Sequence, residues 1–347
     1  MKNNEVSKLL SLWYDRNKRG LPFRLSRDPY KIWLSEVMLH QTQIKTMLPY
    51  YDRWIKKYPN IKSLTNEPYE KILKYWEGLG YYNRCLNFYK ALKFIEKNFH
   101  GKIPKNYGDF RNLSGVGDYT AAAVFSIAYN KKYVTIDGNV KRVMSRYLGI
   151  KTFSKHNILR IKNHLWQLMF SSNPGKFNQS IMELGAIVCR KYAPKCISCP
   201  LKCNCKAFLT DKVLEYPKVP IKRKKPVVNF IGLIILFRDK ILICKRKSTL
   251  LRDLWEFPTI ETDSKSITES FLKNTFDLEF RKKKMLIKRS GLIKHTFSHL
   301  TFKINFYELR IDKLTRTKEG MKWVTELELK DMPCTKILYK ALELIKI

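Results

Sequence analysis

Four cysteines near the middle of the chain have the type and spacing of a metal site. Cys189, Cys196, Cys199 and Cys205 are separated by six, two and five residues. Four thiolates this close in sequence can hold either a tetrahedral zinc ion or a [4Fe–4S] cluster, since both take four sulfur ligands. Zinc sites usually pair two Cys-x2-Cys knuckles or add histidine, whereas this stretch has one such pair and no histidine. Cys203 lies inside the last interval and could compete with Cys205 as the fourth ligand.

Two carboxyl groups are candidates for acid–base chemistry. Glu36 lies in a predicted helix, with Ile32, Trp33 and His40 one turn away and apolar residues near it in sequence. Because a carboxyl held among apolar groups has its charged form disfavoured, its pKa rises, and it can serve as an acid near neutral pH. Asp137 is followed by a glycine and an asparagine, a pattern that on its own is more typical of a turn or helix cap than of a catalytic site.

A glycine-containing turn precedes Asp137. Residues 113–117 read Leu-Ser-Gly-Val-Gly and lie between two predicted helices, within a hairpin over residues 107–128. Gly115 and Gly117 allow positive φ and let backbone N–H groups approach a ligand closely. The N-terminus of the following helix adds partial positive charge, so the turn suits a DNA phosphate, although an ordinary helix connection has the same pattern.

The elements that position these residues fall into two predicted domains. Over residues 1–211, apolar residues recur at three- and four-residue spacing between prolines, which indicates short helices in an all-α domain. Residues 212–227 contain prolines and a block of basic residues, as an exposed linker does. Residues 228–347 begin with strand-like runs, alternate polar and apolar residues at 301–306, and end in a helix, so we expect a small α+β domain.

The charge of the chain indicates a polyanionic partner. Lys and Arg number 68 against 30 Asp and Glu, a formal net charge of +38, and nucleic acid is the commonest polyanion. The alternative is a compositional origin for part of this excess, because the sequence is rich in Lys, Asn, Ile and Tyr, as AT-rich coding produces. The N-terminus lacks an apolar core of signal-peptide length, and the longest apolar run is too short to span a bilayer, so we expect a soluble cytoplasmic protein. Separately, we expect it to act as a monomer.

The cysteine spacing, the hairpin and Asp137, in this combination, resemble the iron–sulfur branch of the helix-hairpin-helix DNA glycosylases. The endonuclease III group of that branch has a lysine nucleophile on the helix after the hairpin, where this chain has Tyr119. The MutY-type adenine DNA glycosylases lack the lysine and carry a glutamate in an apolar helix before a glutamine-rich segment. Glu36 and residues 33–43 match this pattern, so the chain resembles the MutY-type family over nearly its whole length.

The resemblance implies base-excision repair of adenine mispaired with 8-oxoguanine or guanine in double-stranded DNA. Adenine would be flipped out of the duplex, and Glu36 would protonate its N7. Asp137, staying ionised, would stabilise or trap the oxocarbenium-like sugar, by analogy with retaining glycosidases. Tyr119 and Asn139 would orient these groups, and the ligands of one [4Fe–4S] cluster would be Cys189, Cys196, Cys199 and Cys205.

Residue-by-residue matching to the family implies further contacts. The adenine pocket would be lined by Arg19, Phe23, Arg24, Leu39 and Gln179. Contacts to the DNA and the opposite base would come from Gln41, Thr42, Tyr81, Gly115 and Gly117. Phe23 departs from the usual tryptophan but keeps an aromatic face for stacking. His40 replaces the usual glutamine, and no role is assigned to it.

The C-terminal part of the chain resembles the Nudix-like domain of the same family. Residues 254–258, Leu-Trp-Glu-Phe-Pro, are the clearest shared motif. A Nudix hydrolase needs an Arg-Glu-x-x-Glu-Glu helix to bind Mg²⁺, and the equivalent stretch 267–276 has only Glu269, so we expect recognition without hydrolysis. The 8-oxoguanine-sensing loop would then include Phe297, Ser298 and His299, although a plain strand with surface histidines is the alternative.

Two other functions remain open from the sequence. An endonuclease III-like enzyme would act on oxidised pyrimidines and nick the strand, but Tyr119 in place of lysine and the second domain argue against it. A non-catalytic iron–sulfur protein that binds DNA would not need both Glu36 and Asp137.

Overall fold

Helices form the first of two compact units in the structure, a computed structural model that describes residues 3–169, 173–218, 224–262, 287–312 and 317–345. This unit comprises Met1–Thr65 and Asn87–Ile221, and the second unit comprises Asn66–Leu86 and Lys222–Ile347. Within the described ranges, no helix is both long enough and apolar enough to cross a lipid bilayer.

The helices up to residue 209 are short and joined by turns, as the proline spacing predicts. They are α1 (Asn3–Asn17), α2 (Pro29–Leu39), α3 (Ile44–Lys57), α4 (Ile61–Thr65), α5 (Tyr69–Trp76), α6 (Asn83–Phe99), α7 (Tyr107–Arg111), α8 (Asp118–Ile127), α9 (Gly138–Leu148), α10 (Lys155–Leu168), α11 (Pro174–Ile187) and α12 (Lys206–Leu209). Side-chain caps begin several of them: Asp28 accepts a hydrogen bond from the backbone N–H of Tyr30, and Ser154 accepts one from that of Asn157.

Two largely buried helices organise the first unit. α2 packs against α3 and α8, and its Trp33 ring meets Phe88 and Phe110 edge-on at centroid distances of 4.8 and 5.0 Å. α11 packs against α1, α8 and α9. A Cβ atom at Gly185 of α11 would lie 2.7 Å from Cβ of Asn139, so glycine is what allows α11 to approach the start of α9 this closely.

The C-terminal part of the second unit is a mixed sheet with short helices. Its strands are β1 (Val227–Phe237), β2 (Lys240–Lys245), β3 (Trp255–Glu256), β4 (Thr259–Glu261), β5 (Ile287–Thr296), β6 (Thr301–Arg310) and β7 (Met321–Thr325). The order is β3-β2-β1-β6-β5, with β4 pairing with β1 and β7 with β2, and β1 runs parallel to β6. The helices α13 (Glu326–Leu329) and α14 (Lys336–Leu342) follow, and the side chains of α14 close an apolar core with Phe257, Phe302 and Phe306.

The compact units do not follow the predicted boundary between residues 211 and 212. Helix α5 and the loop after it group with the C-terminal sheet. The indole N–H of Trp255 donates to Glu70 Oε1 at 2.6 Å, and Lys74 Nζ donates to the carbonyl of Met332 at 2.8 Å. Hydrophobic periodicity predicts helix α5, but it carries no information about partners as distant in sequence as Trp255 and Met332. For this reason the sequence alone places residues 66–86 in the helical domain.

The predicted linker 212–227 is also partly built into the first unit. Tyr216 is buried, and its carbonyl accepts a hydrogen bond from Nε of Arg146 at 3.0 Å. The backbone N–H of Lys218 donates to the carbonyl of Lys151 at 2.9 Å. Lys212, Leu214 and Glu215 are exposed, as expected of a linker, but Tyr216 and Lys218 attach this segment to the first unit. Residues 219–223 lie outside the described ranges.

Candidate active site

A cleft of about 860 Å³ in the first unit collects most of the predicted site residues. It lies among α2, α8, α9 and α11 and the segments that precede α2 and α3. The predicted residues that line it are Arg19, Phe23, Arg24, Glu36, Leu39, Gln41, Thr42, Tyr119, Asp137, Asn139 and Gln179. Residues up to 160 positions apart in the sequence thus face one space.

Glu36 lies on the last turns of α2 and is 6% exposed. The hydroxyl of Tyr119, on α8, donates to its Oε2 at 2.7 Å. Burial raises the pKa of Glu36 to about 7; the Tyr119 hydrogen bond opposes this shift and the negative charge of Asp137 adds to it. The carboxyl is therefore poised to hold and release a proton near neutral pH.

Asp137 caps the N-terminus of α9 and is held by two hydrogen bonds. The backbone N–H of Val140 donates to Oδ1 at 2.6 Å, and the Asn139 amide donates to Oδ2 at 2.9 Å. Burial raises the pKa of Asp137 above its usual value, while these hydrogen bonds and the guanidinium of Arg142 oppose the shift. Because the bonds stabilise the ionised form and the helix N-terminus is positive, this carboxyl is the better anion of the two.

The cap and catalytic interpretations of Asp137 are therefore compatible. The side chain begins the helix and still lines the cleft beside Glu36. The surroundings of Glu36 favour its protonated form, and those of Asp137 stabilise its ionised form. The two carboxyl groups can therefore serve as an acid and an anion, respectively.

Glu183, a residue that the sequence did not single out, holds two predicted pocket arginines. Arg19 donates from Nε and Nη2 at 2.7 and 2.8 Å, and Arg24 donates from Nη2 at 2.7 Å. Burial alone would raise the pKa of Glu183, but these charge-assisted bonds lower it to about 2. A buried carboxylate paired in this way fixes the arginines at one wall of the cleft. In the sequence Glu183 has only an amphipathic helical context, and its partners lie 159 and 164 residues away.

The other predicted pocket residues contribute an aromatic ring and an amide. Phe23 is buried, with its ring edge-on to Tyr51 at 5.9 Å. Oε1 of Gln179 accepts a hydrogen bond from the hydroxyl of Tyr14 at 3.1 Å, which leaves the amide nitrogen as its donor. Gln41 has φ of +58°, an uncommon conformation for a side-chain-bearing residue, and it is exposed at the cleft.

The predicted hairpin is present between α7 and α8. Gly115 has φ of +76°, and a Cβ there would lie 2.7 Å from Cβ of Asn87, so the turn requires glycine. Arg111 pairs with Asp118 at 2.6 Å across the turn, and both glycines are exposed. The backbone N–H groups at the N-terminus of α8 therefore remain accessible to an anion.

The four predicted cysteine ligands line one small cavity. Cys189, Cys196, Cys199 and Cys205 face it, whereas Cys203 is exposed and is not among its lining residues. Within the residues that the structure describes, no three His, Cys, Asp or Glu side chains are grouped to hold a metal ion. The four thiols nevertheless face one space, and four thiols are the donor set that an iron–sulfur cluster takes.

Two arginines of α9 hold the cysteine loop in place. Arg146 is 2% exposed and donates to Sγ of Cys189 at 3.3 Å and to the carbonyl of Arg190 at 2.7 Å. Arg142 donates to the carbonyl of Cys189 at 2.8 Å and to Oδ1 of Asn139 at 2.9 Å. The loop is thus connected by hydrogen bonds to the helix that Asp137 caps.

The second unit carries the remaining predicted contacts. Tyr81 is 42% exposed and has φ of +50°. Between β5 and β6, Ser298 and His299 are exposed, and Ser298 Oγ lies 3.4 Å from His299 Nδ1. Phe297 instead packs on Phe302 with ring centroids 4.9 Å apart, so it supports the loop from the core side. Glu269 and the stretch 267–276 lie outside the described residues.

Comparisons with known proteins identify both parts of the chain. Residues 34–168 match the family model of the HhH-GPD superfamily of base excision DNA repair proteins, and residues 231–344 match that of the NUDIX domain. A thermostable thymine-DNA glycosylase covers 60% of this chain and 97% of its own at 26% identity and a TM-score of 0.56. An endonuclease III from a non-covalent DNA complex shares the fold, with 20% identity and a TM-score of 0.52 over 61% of this chain and 98% of its own. The predicted fold class, a helical helix-hairpin-helix domain followed by a small Nudix-like domain, is confirmed.

Relatives along the whole chain narrow the assignment. The adenine DNA glycosylase of Buchnera aphidicola subsp. Baizongia pistaciae is 35% identical over 317 residues, which cover 87% of this chain and 85% of the relative. The adenine DNA glycosylase of Homo sapiens is 30% identical over 383 residues, covering 91% of this chain and 69% of the relative. The chain therefore belongs to the adenine DNA glycosylase family, the DNA-binding base-excision repair enzymes that hydrolyse the N-glycosyl bond of adenine.

Proposed function

We propose that this enzyme releases adenine mispaired with 8-oxoguanine or guanine, with Glu36 as general acid and Asp137 as the anion that meets the sugar. The observation that supports this most is the buried Glu36 carboxyl, whose pKa is raised to about 7, in the same cleft as Asp137. Adenine is a poor leaving group until its N7 is protonated. Glu36 donates that proton as the bond from C1′ to N9 breaks and its electron pair goes to the base.

Asp137 stabilises the oxocarbenium-like sugar that the departing base leaves. Its carboxylate either pairs with the positive charge or forms a bond to C1′, and water then completes the hydrolysis with retention. The two hydrogen bonds from Val140 and Asn139 fix its orientation beforehand. Such preorganisation lowers the reorganisation that the transition state requires.

The pocket assignments deepen this proposal. Arg19 and Arg24, fixed by Glu183, present donors to the flipped base, Phe23 stacks on it, and Leu39 and Gln179 complete the lining. Gln41 and Tyr81 fill the gap that the base leaves, with Thr42 beside the opposite base. Their positive φ values indicate a backbone prepared for close approach to the DNA.

The enzyme hydrolyses without nicking the strand. Strand cleavage of the endonuclease III type needs an amine that forms a Schiff base with the sugar, and the residue at that position is Tyr119. The Tyr119 hydroxyl donates to Glu36, so its role is to orient the acid.

Cys189, Cys196, Cys199 and Cys205 would hold a [4Fe–4S] cluster, which would stabilise the loop 189–205. The support is the donor set: four thiols face one cavity, which Arg146 also lines. The contribution of the cluster would be structural and would not include bond breaking. Exposed lysines of the loop, such as Lys191, would then be placed to meet DNA phosphates.

The C-terminal sheet senses the opposite base through Ser298 and His299, whose polar groups are exposed at one turn. Phe297 supports that turn. One chain carries the cleft, the hairpin and this turn, which supports action as a monomer, in the cytoplasm where bacterial DNA lies.

Glu36→Gln tests the proposal. The amide keeps the shape and can still accept the Tyr119 hydrogen bond but has no proton to give, so we expect single-turnover adenine release to fall at least about a hundredfold. Duplex binding, measured by fluorescence anisotropy, should persist. Asp137→Asn should be nearly as severe, because a neutral amide cannot offset a developing positive charge.

The same assay separates the rival functions. Release of oxidised pyrimidine with a borohydride-trapped adduct would support endonuclease III-like action. DNA binding without release of any base by the intact protein would support a non-catalytic role. If the Glu36→Gln variant released adenine at the rate of the intact enzyme, another group would have to supply the proton.

A further inference from the structure

The Leu-Trp-Glu-Phe-Pro motif at residues 254–258 has no role in the proposed chemistry, but its tryptophan makes a defined contact within the second unit. Trp255 is 8% exposed on β3, and its indole N–H points to Glu70 Oε1 at 2.6 Å. Lys245, on the neighbouring strand β2, lies 5.3 Å from the centre of the Trp255 ring and 3.5 Å from the same carboxylate oxygen. Glu70 therefore meets both an indole donor and an ammonium group of the sheet.

A second contact lies one turn further along α5. Lys74 Nζ donates to the carbonyl of Met332 at 2.8 Å and to the hydroxyl of Tyr339 at 3.4 Å. Glu77 pairs with the same ammonium group at 2.7 Å. Glu70 and Lys74 are four residues apart, so they lie on one face of α5, and that face is the one attached to the C-terminal elements.

The loop that carries Tyr81 begins where α5 ends. The indole N–H of Trp76, the last residue of α5, donates to the carbonyl of Gly80 at 3.0 Å. Nη2 of Arg84 donates to the same carbonyl at 3.1 Å, and its guanidinium lies 5.2 Å from the centre of the Tyr81 ring. The loop that carries Tyr81 is therefore held from both sides, by Trp76 at the end of α5 and by Arg84 at the start of α6.

The turn at residues 297–299 rests on the same apolar core as the α5 attachment. Trp255 belongs to that core, and Phe297, Met332 and Tyr339 pack against it. We infer that Glu70 and Trp255 are positioning residues: their contact joins the Tyr81 loop to the sheet that presents Ser298 and His299, so that both act on the opposite base as one body. This inference rests on the proposed opposite-base sensing.

Trp255→Phe and Glu70→Ala test the inference in the full-length enzyme. Trp255→Phe keeps a six-membered aromatic ring and removes the five-membered ring that carries the N–H donor. Glu70→Ala removes the acceptor and, with it, the carboxylate that meets Lys245. Glu326→Ala is the matched control for Glu70→Ala, because Glu326 is an exposed acid of the same unit and its loss changes the net charge equally. Trp255→Phe leaves the net charge unchanged and is compared with the intact enzyme as well.

Single-turnover adenine release is measured opposite 8-oxoguanine and opposite guanine. Because both variants lose the hydrogen bond between Trp255 and Glu70, we expect the ratio of the two rates to fall by about three- to tenfold. The fall should be at least as large in Glu70→Ala, which also loses the ion pair with Lys245. The rate opposite guanine should stay within about twofold of the intact enzyme, as should both rates of Glu326→Ala. An equal fall on both substrates, or an unchanged ratio, would overturn the inference.

Hydrogen exchange of the free protein gives a second, independent measure. Amides of residues 77–82 should exchange faster in Trp255→Phe and Glu70→Ala than in Glu326→Ala, because the helix that holds the loop has lost an anchor. Unchanged exchange would overturn the inference even if sensing is correct. If the intact enzyme does not discriminate between the opposite bases while exchange responds as expected, the sensing proposal fails and the attachment stands.

Discussion

At the scale of single residues, the proton on Glu36 depends on neighbours that act in opposite directions. Burial disfavours the carboxylate and is the largest influence, the Tyr119 hydroxyl stabilises the carboxylate, Asp137 destabilises it and Arg24 stabilises it. The balance leaves the pKa at about 7. A small change at any of these neighbours therefore shifts the protonated fraction at physiological pH.

The pH dependence of adenine release should show this balance. Glu36 acts as an acid only while protonated, so the single-turnover rate should fall about tenfold per pH unit above pH 7. Asp137 must be ionised, and its pKa is raised above the usual value, so the rate should also fall in acid as that group takes up a proton. A rate that stays level through the alkaline range would contradict Glu36 as the acid.

Tyr119→Phe should move the alkaline side of this profile. The hydroxyl lowers the pKa of Glu36 by donating to its carboxylate, so its removal should raise that pKa and shift the fall in rate to higher pH. Phenylalanine keeps the ring beside His40. The rate is measured against pH for both proteins on the same duplex. If the midpoint of the alkaline fall did not move, the hydrogen bond from Tyr119 would be absent when adenine is released.

The sequence predicts some of these residues for physical reasons and others only by resemblance. A raised pKa for Glu36 follows from its apolar helix. Asp137 could not be told from a helix cap by its neighbours, and the structure shows it capping α9 inside the cleft. Glu183 was missed, because its importance arises from arginines more than 150 residues away in the chain.

At the scale of elements, the cysteine loop offers a clear comparison between two thiols. Cys205 lines the shared cavity, whereas Cys203, two residues earlier, is exposed. Cys205→Ser should therefore lose most of the iron and the visible absorbance of a thiolate-held cluster, and Cys203→Ser should keep both. Iron analysis of anaerobically purified proteins measures this. If iron were lost in Cys203→Ser and kept in Cys205→Ser, Cys203 would be the fourth ligand. If the intact protein contained zinc and no iron, the iron–sulfur proposal would be wrong.

Local pattern predicts most of the elements and little of their partners. Strand-like runs are predicted at the start of the second domain, and the first strand is found there at Val227–Phe237, because a long β-rich run has few alternatives. The turn after it is tight, since Phe237 pairs with Lys240. Helix α5 has an ordinary amphipathic pattern, and nothing in that pattern shows that Glu70 and Lys74 bind the C-terminal sheet.

At the scale of the whole molecule, the net charge of +38 should govern affinity for DNA. Lysines and arginines that meet phosphates release counterions, and each contact contributes about −0.9 to the slope of log affinity against log salt concentration. We expect this slope to be about −5 or steeper for any duplex. In Lys191→Gln the slope should become less steep by about one unit, because one phosphate contact is lost. Anisotropy titrations across a salt series measure both.

The same titrations distinguish general attraction from recognition. The preference for adenine opposite 8-oxoguanine over adenine opposite guanine should hold across the salt series, because phosphate contacts carry no base information. If the preference disappeared as the salt concentration rose, discrimination would depend on the phosphate contacts and not on contacts to the opposite base. Deleting residues 212–347 is a poorer test, because it would also remove Trp255 and Met332, the partners of α5.

The negative charge that Asp137 places near Glu36 gives the proposed reaction an internal order of events. Before the bond breaks, this charge helps Glu36 keep its proton. Once Asp137 is matched by the cationic sugar or joined to C1′, that influence disappears and the pKa of Glu36 falls. The group that has just acted as an acid then stays deprotonated while water arrives, and can accept the proton of that water as a base. The two side chains thus alternate in charge, and each change prepares the next step.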